Sequence, residues 1–194
     1  MNKLITTIAC LICCIVYTQA QNKDNMLSKK EQSIAAISMY AARGNQDSLK
    51  VILARGLDCG LTVSEEKEVL TQLYAYCGFP RSMGALVTLM NLTKERAAQG
   101  IKDEAGANVS TSPSAGRPNS FSWFCPPTTN ISELFTGEVL TFAPALDQFL
   151  KAHLFGDIFS RDNLDWRTRE LSTVAALTVL DGVKNELNTH IAHA

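Results

Sequence analysis

Three polar side chains recur at four-residue spacing in the chain: Glu68, Gln72 and Tyr76. On a helix that spacing puts them on one face, a turn apart. Such a row offers an acid or base, Glu68, at a pocket between helices. Gln72 and Tyr76 would be its hydrogen-bonding neighbours, able to bind a substrate. A solvated helix face looks the same, with Glu65 and Glu66 as ordinary first-turn acids, and the residues alone leave both readings open. Next come Cys77, the break Gly78-Phe79-Pro80, and Arg81. A cysteine at a helix end with a cation four residues on is a candidate nucleophilic or peroxide-reducing thiol. A small residue buried where helices cross has the same appearance, and so does one half of a Cys59–Cys77 disulfide. Arg81 and Arg161 carry guanidinium groups that can grip a substrate carboxylate through two parallel hydrogen bonds. His153 and His193 have no second ligand at metal spacing, so no metal is expected.

The elements that must position these residues are helical. Ser28 and Lys29-Lys30-Glu31 open a segment with Ile34, Ile37, Met39 and Tyr40 at near-helical spacing, and Gly44 closes it. A second helix is predicted over 46–57. Thr62 or Ser64 caps a third, with Glu65, Glu66 and Glu68 in or near its first turns, running to about Tyr76. Pro80 suits the first turn of a fourth, over about 81–98. Residues 103–130 are rich in Ser, Gly, Pro, Asn and Thr and read as a long exposed connection, with SFSWFC as an apolar patch that pins it. Helical character returns at Ile131, again from Pro144 to Phe155, then over about 166–180 and 184–193. The two-residue alternation of strands is missing, so the class is all-α.

The chain has 194 residues and a formal net charge of −1, which suits one ordinary domain and gives no sign of a nucleic-acid partner. Residues 1–20 differ: a basic MNK, an apolar run and the small-residue ending TQA have the pattern of a cleaved export signal. The apolar run is too short for a membrane span. Lipidation at Cys10 or Cys14 is the competing reading. The short leader is bacterial in pattern, so the expected compartment is the periplasm. Cleavage after Ala20 leaves Cys59, Cys77 and Cys125, an odd number, hence at least one free or intermolecular thiol.

The two ends of the mature chain are alike. EQSIAAISMYAARGNQDSLKVILARG, from Glu31, and RELSTVAALTVLDGVKNELNTHIAHA, from Arg169, align without gaps, with Gly44 on Gly182 and Leu49 on Leu187. This implies duplicated helical units that bury their faces against each other. The expected organisation is a signal over 1–20, a first unit over 21–102, a connection over 103–140, and a second unit over 141–194. The second unit lacks a counterpart of QLYAYCGFP, so it is expected to be shortened.

Arg169-Glu170-Leu171, the Ala-rich helix after it, and Leu187 with His190 resemble the carboxymuconolactone decarboxylase family. So do Gly60 to Glu68 followed by Tyr76, Gly78, Phe79 and Pro80. The resemblance covers most of 28–92 and 140–194. It implies an alkylhydroperoxidase-D-like helical bundle that forms homo-oligomers and acts on a small-molecule substrate without a cofactor. It also implies that Glu170 and His190 match a family Glu…His pair on adjacent helices, in which the carboxylate orients an imidazole that moves a proton. The peroxidase branch places a Cys-x-x-Cys before that histidine; here those positions are Val183 and Glu186, and no Cys-x-x-Cys follows residue 20. The candidate catalytic set is therefore Glu68, Glu170, His190 and Cys77, with Gln72, Tyr76 and Arg81 for binding. Three functions stand open: decarboxylase or lactone-type acid–base chemistry, a thiol antioxidant using Cys77, and a non-catalytic oligomeric or remnant protein.

Overall fold

The computed structural model describes residues 26–109 and 137–193. The expected signal, the SFSWFC patch, Cys125 and the helix at Ile131 lie outside the described residues. Helices α1 (Lys29–Arg43), α2 (Gln46–Asp58), α3 (Val63–Gln72), the single turn α4 (Tyr74–Cys77) and α5 (Phe79–Ala98) form the first part. The second part holds α6 (Gly137–Phe142), α7 (Pro144–Gln148), a π-helical segment (Phe149–Phe159), α8 (Trp166–Leu177) and α9 (Lys184–His193). The described residues contain no strand, as expected for an all-α protein.

Local chemistry sets the helix starts. Ser28 accepts from the Glu31 amide at 3.2 Å while Glu31 accepts from the Ser28 amide at 2.7 Å. Thr62 and Glu65 repeat this reciprocal cap on α3 at 3.1 and 2.7 Å. Gly44, at φ 71°, ends α1 in the left-handed region that glycine enters without steric cost. Gly182, at φ 80°, stands at the matching place between α8 and α9.

Two expected helices differ in detail. The helix predicted to reach Tyr76 is interrupted at Leu73, so Tyr76 sits on the separate turn α4. The one predicted to stop near Phe155 widens instead into the π-helical segment and continues through Gly156 and Asp157.

The main core is aliphatic: Ile37, Leu49, Leu53, Leu70 and Leu73 are inaccessible, each contributing about 1.5–3 kcal/mol by burial. Ala176 of α8 joins this core, and α8 lies along α1 with Ser38 and Ser172 sharing a 2.8 Å hydroxyl contact. A second, aromatic cluster joins Phe155, Phe159 and Trp166, with ring centroids 5.3–6.3 Å apart. Residues 104–107 strap the start of α3. The Glu104 and Ala105 carbonyls accept from the Val63 and Ser64 amides at 2.9 Å, and the Ala107 carbonyl accepts from the Ser64 hydroxyl at 2.6 Å. Arg96 holds the strap down by donating to both Asp103 oxygens and to Asp58 at 2.8–2.9 Å. No helix among the described residues is long and apolar enough to cross a membrane.

Candidate functional site

The N-cap Asp165, which accepts from the Thr168 amide at 2.7 Å, starts α8 so that Arg169 and Glu170 fall in its buried first turns. Arg169 is 0% exposed. An arginine keeps its charge in proteins, so it must carry acceptors into the interior with it. It donates to Glu68 at 3.0 Å, to Gln72 Oε1 at 3.1 Å and to the Arg161 carbonyl at 2.8 Å. Its Nε has no hydrogen-bond partner, and its guanidinium carbon stands 5.9 Å from the Phe159 ring centroid. Gln72 completes the join by donating to the Arg169 carbonyl at 2.8 Å and the Thr173 hydroxyl at 3.0 Å.

Glu68 also accepts from Arg161 Nε at 2.7 Å and from Asn163 at 3.1 Å. Burial works to raise its carboxyl. The Arg161 hydrogen bond, the Arg169 charge and the Asn163 hydrogen bond together outweigh burial and hold it below the ordinary range. Glu68 is thus a fixed carboxylate between two guanidiniums, suited to orienting cations and poorly suited to delivering a proton at neutral pH. Above it opens a polar groove of about 310 Å³ whose lining includes Lys67, Glu68, Thr71, Asn108, Arg161 and Asn163. Two cations stand there against one carboxylate, which favours an anionic ligand.

Glu170 lies on the next position of α8 and meets α9. Its Oε2 is 2.8 Å from His190 Nδ1, and both side chains are 3% exposed. A carboxylate bonded to Nδ1 fixes that nitrogen as the protonated one and leaves Nε2 for chemistry. Among the described residues Nε2 makes no hydrogen bond. Tyr76 meets the imidazole edge-on, with centroids 5.8 Å apart. Its hydroxyl is buried with no hydrogen-bond partner of good geometry. Burial pushes the phenol up, opposed by the Thr173 hydroxyl. The structure therefore links Glu68, Gln72, Tyr76, Glu170 and His190 through Arg169 and Thr173.

Cys77 and Arg81 stand apart from this network. The Cys77 thiol donates to the Leu73 carbonyl at 3.2 Å, and burial pushes it up despite the opposing Arg81 charge. Cys59 and Cys77 are both free, so the disulfide considered between them is not present. Arg81 is exposed, and its stem lies 3.8 Å from where a Gly44 side chain would begin. Arg161, considered from sequence as a carboxylate grip, is paired with Glu68 and 27% exposed toward the groove.

Sequence reasoning gave no role to Asn163 or Thr173 and treated Arg169 as a motif residue. One usable signal existed for Arg169: it opens an Ala-rich helix that must pack against the body, and a buried cation needs a counter-charge. Glu66 is a second surprise. Read as an ordinary first-turn acid, it is inaccessible, with both carboxyl oxygens unpaired and its carboxyl pushed up to about 9 by burial and then by Asp103.

Residues 16–89 match the model of the Carboxymuconolactone decarboxylase family. Over this stretch the chain is similar to that family. It carries α1 to α4 and the first half of α5, and with them Glu68, Gln72, Tyr76, Cys77 and Arg81. Glu170 and His190 lie beyond the carboxymuconolactone decarboxylase match and reach its residues through Arg169 and Tyr76. No curated protein matches the chain.

Proposed function

We propose that the protein is a cofactor-free acid–base enzyme of the carboxymuconolactone decarboxylase type, acting on a small lactone-like carboxylic acid. The observation that carries this reading is the buried 2.8 Å contact between Glu170 and His190. The Glu170 carboxyl holds the imidazole by Nδ1 and so orients Nε2 as the atom that exchanges a proton with a substrate. The groove beside Glu68 supports a carboxylate as the recognised group. Arg161 is its accessible cation, pre-oriented by Glu68, and Lys67 adds to the field.

In such a reaction the bond between the ring carbon and the carboxyl group breaks and CO₂ leaves. The electron pair spreads onto the lactone carbonyl, where a cation or donor must stabilise it. His190, protonated at both nitrogens, then returns a proton to carbon, and Glu170 steadies the charge before transfer. Glu68, Gln72 and Arg169 position the groups around this step. Cys77 takes no part, in keeping with a thiol whose proton is held by the Leu73 carbonyl. The pattern of residues 1–20 supports export as the setting.

The test is CO₂ release from a carboxylated γ-lactone by the wild type, His190→Asn and Cys77→Ser. Wild type and Cys77→Ser turn over alike, and His190→Asn loses about 10²–10⁴-fold in kcat. Equal turnover by His190→Asn overturns the assignment. Peroxide consumption that disappears in Cys77→Ser would replace it with thiol chemistry. No turnover on either substrate would favour a non-catalytic protein.

A further inference from the structure

Glu66 is a buried acid that the proposed chemistry leaves unused. It is 0% exposed, and neither carboxyl oxygen has a hydrogen-bond partner among the described residues. An uncharged carboxyl can stay in such a place, but a carboxylate must reach water or a cation. The groups packed around it decide what then moves. Helices α1 and α2 offer Ile37 and Gly56, which carry no charge. Asp103 of the strap repels the ionised form, Arg96 of α5 attracts it, and Glu65 on α3 adds a smaller repulsion. Asp58, at the end of α2, reaches this cluster through Arg96.

Arg96 and Asp103 also fasten the strap. Arg96 Nε stands 2.9 Å from both Asp103 oxygens, and the two side chains are 12% and 10% exposed, so water screens the pair little. The other ties are the Glu104, Ala105 and Ala107 carbonyls on Val63 and Ser64. The strap lends no residue to the main core, so lifting it uncovers little apolar surface.

We propose that Glu66 is a proton-operated latch: on losing its proton it draws Arg96 away from Asp103, and residues 103–107 lift from the start of α3. The new carboxylate pulls on Arg96 and pushes on Asp103, so the ion pair that ties the strap down is opened from both sides. Lifting the strap admits water to Glu66, which then titrates as an ordinary glutamate. The closed strap therefore keeps a proton that the open one gives up. Burial, and after it Asp103, pushes the closed-state carboxyl from 4.5 up to about 9. Between those values each pH unit favours the open strap by up to about tenfold. Asn108 and Val109, just beyond the strap, line the groove beside Glu68. The latch thus bears on that groove, yet it does not depend on the reaction proposed there.

The test is amide hydrogen exchange, read by nuclear magnetic resonance at Val63 and Ser64, whose amides the strap carbonyls cover. Protection is taken relative to an unstructured chain at the same pH, so the ordinary base dependence of exchange cancels. In the wild type, protection at both amides falls by up to about tenfold per pH unit between pH 5 and pH 8. In Glu66→Gln it stays level; Glu66→Leu serves if the glutamine variant does not fold. Low urea leaves Val63 and Ser64 unchanged while it lowers protection at Leu53 in the core, because lifting the strap exposes little surface. Level protection in the wild type overturns the proposal. So does an equal fall in the variants. Val63 and Ser64 that follow urea as Leu53 does overturn it too, because the whole chain then opens. None of these readouts involves turnover, so the latch stands or falls separately from the lactone assay.

Discussion

Glu66 should make the protein lose stability as pH rises through neutrality, and Glu66→Gln should abolish that loss. In the folded chain its carboxyl is inaccessible, lies against the Cα of Gly56, has no hydrogen-bond partner and is pushed up to about 9. In the unfolded chain it titrates near 4.5, as an ordinary glutamate does. Between those values the folded state holds one more proton than the unfolded state. Folding stability therefore falls by roughly 1.4 kcal/mol per pH unit across that window. Three units above the unfolded value, near pH 7.5, the accumulated cost is at most about 4 kcal/mol. Glutamine keeps the shape and one unpaired polar group while removing the titration. The variant should match wild type near pH 4.5 and exceed it by up to about 4 kcal/mol near pH 7.5. Urea unfolding of both proteins at pH 5, 6, 7 and 8 measures the difference directly. Parallel stability curves, or a glutamine variant weaker than wild type at pH 8, would refute the placement of an uncharged carboxyl in the core.

Glu68→Ala leaves Arg169 buried without its main counter-charge and should cost about 3–5 kcal/mol, whereas Arg161→Ala, at a partly exposed pair, should cost about 1 kcal/mol; urea titrations separate the two. Gly56→Ala should cost about 1–3 kcal/mol, because its methyl group would overlap the Glu66 carboxyl and crowd Leu61 and Ile37. Much of that loss should return in Gly56→Ala combined with Glu66→Ala. The Cys77 thiol should alkylate more slowly at pH 7.5 than the thiol of a free cysteine, since burial raises it; mass spectrometry of iodoacetamide-treated protein gives the rate.

Helix starts were the most readable part of this chain. The pairs Ser28–Glu31 and Thr62–Glu65 sit three residues apart, so the two groups of each cap lie in one short window. The Glu68–Gln72–Tyr76 row was readable for the same reason, although the step at Leu73 moves Tyr76 onto its own turn. Partners of that row were not readable. Arg161, Asn163 and Arg169 reach Glu68 across 93–101 residues, and no local pattern encodes such a meeting. The run Glu65, Glu66, Glu68 shows the limit clearly. Glu65 caps, Glu66 is entombed and Glu68 pairs with arginines, and only the packing of α2, α8 and the strap distinguishes them. Glu170 and His190 were identified through family resemblance, and their burial followed from α9 folding back on α8.

The union of α1 with α8 has a consequence for synthesis. A ribosome releases residues 26–109 well before α8, and at roughly 5–20 residues per second the remaining chain takes several seconds more. During that interval the first five helices have no Arg169 for Glu68 and Gln72, and the face of α1 that α8 covers is open to water. The carboxy-terminal part thus completes the amino-terminal core, and a chain cut before Trp166 would leave that face of α1 uncovered.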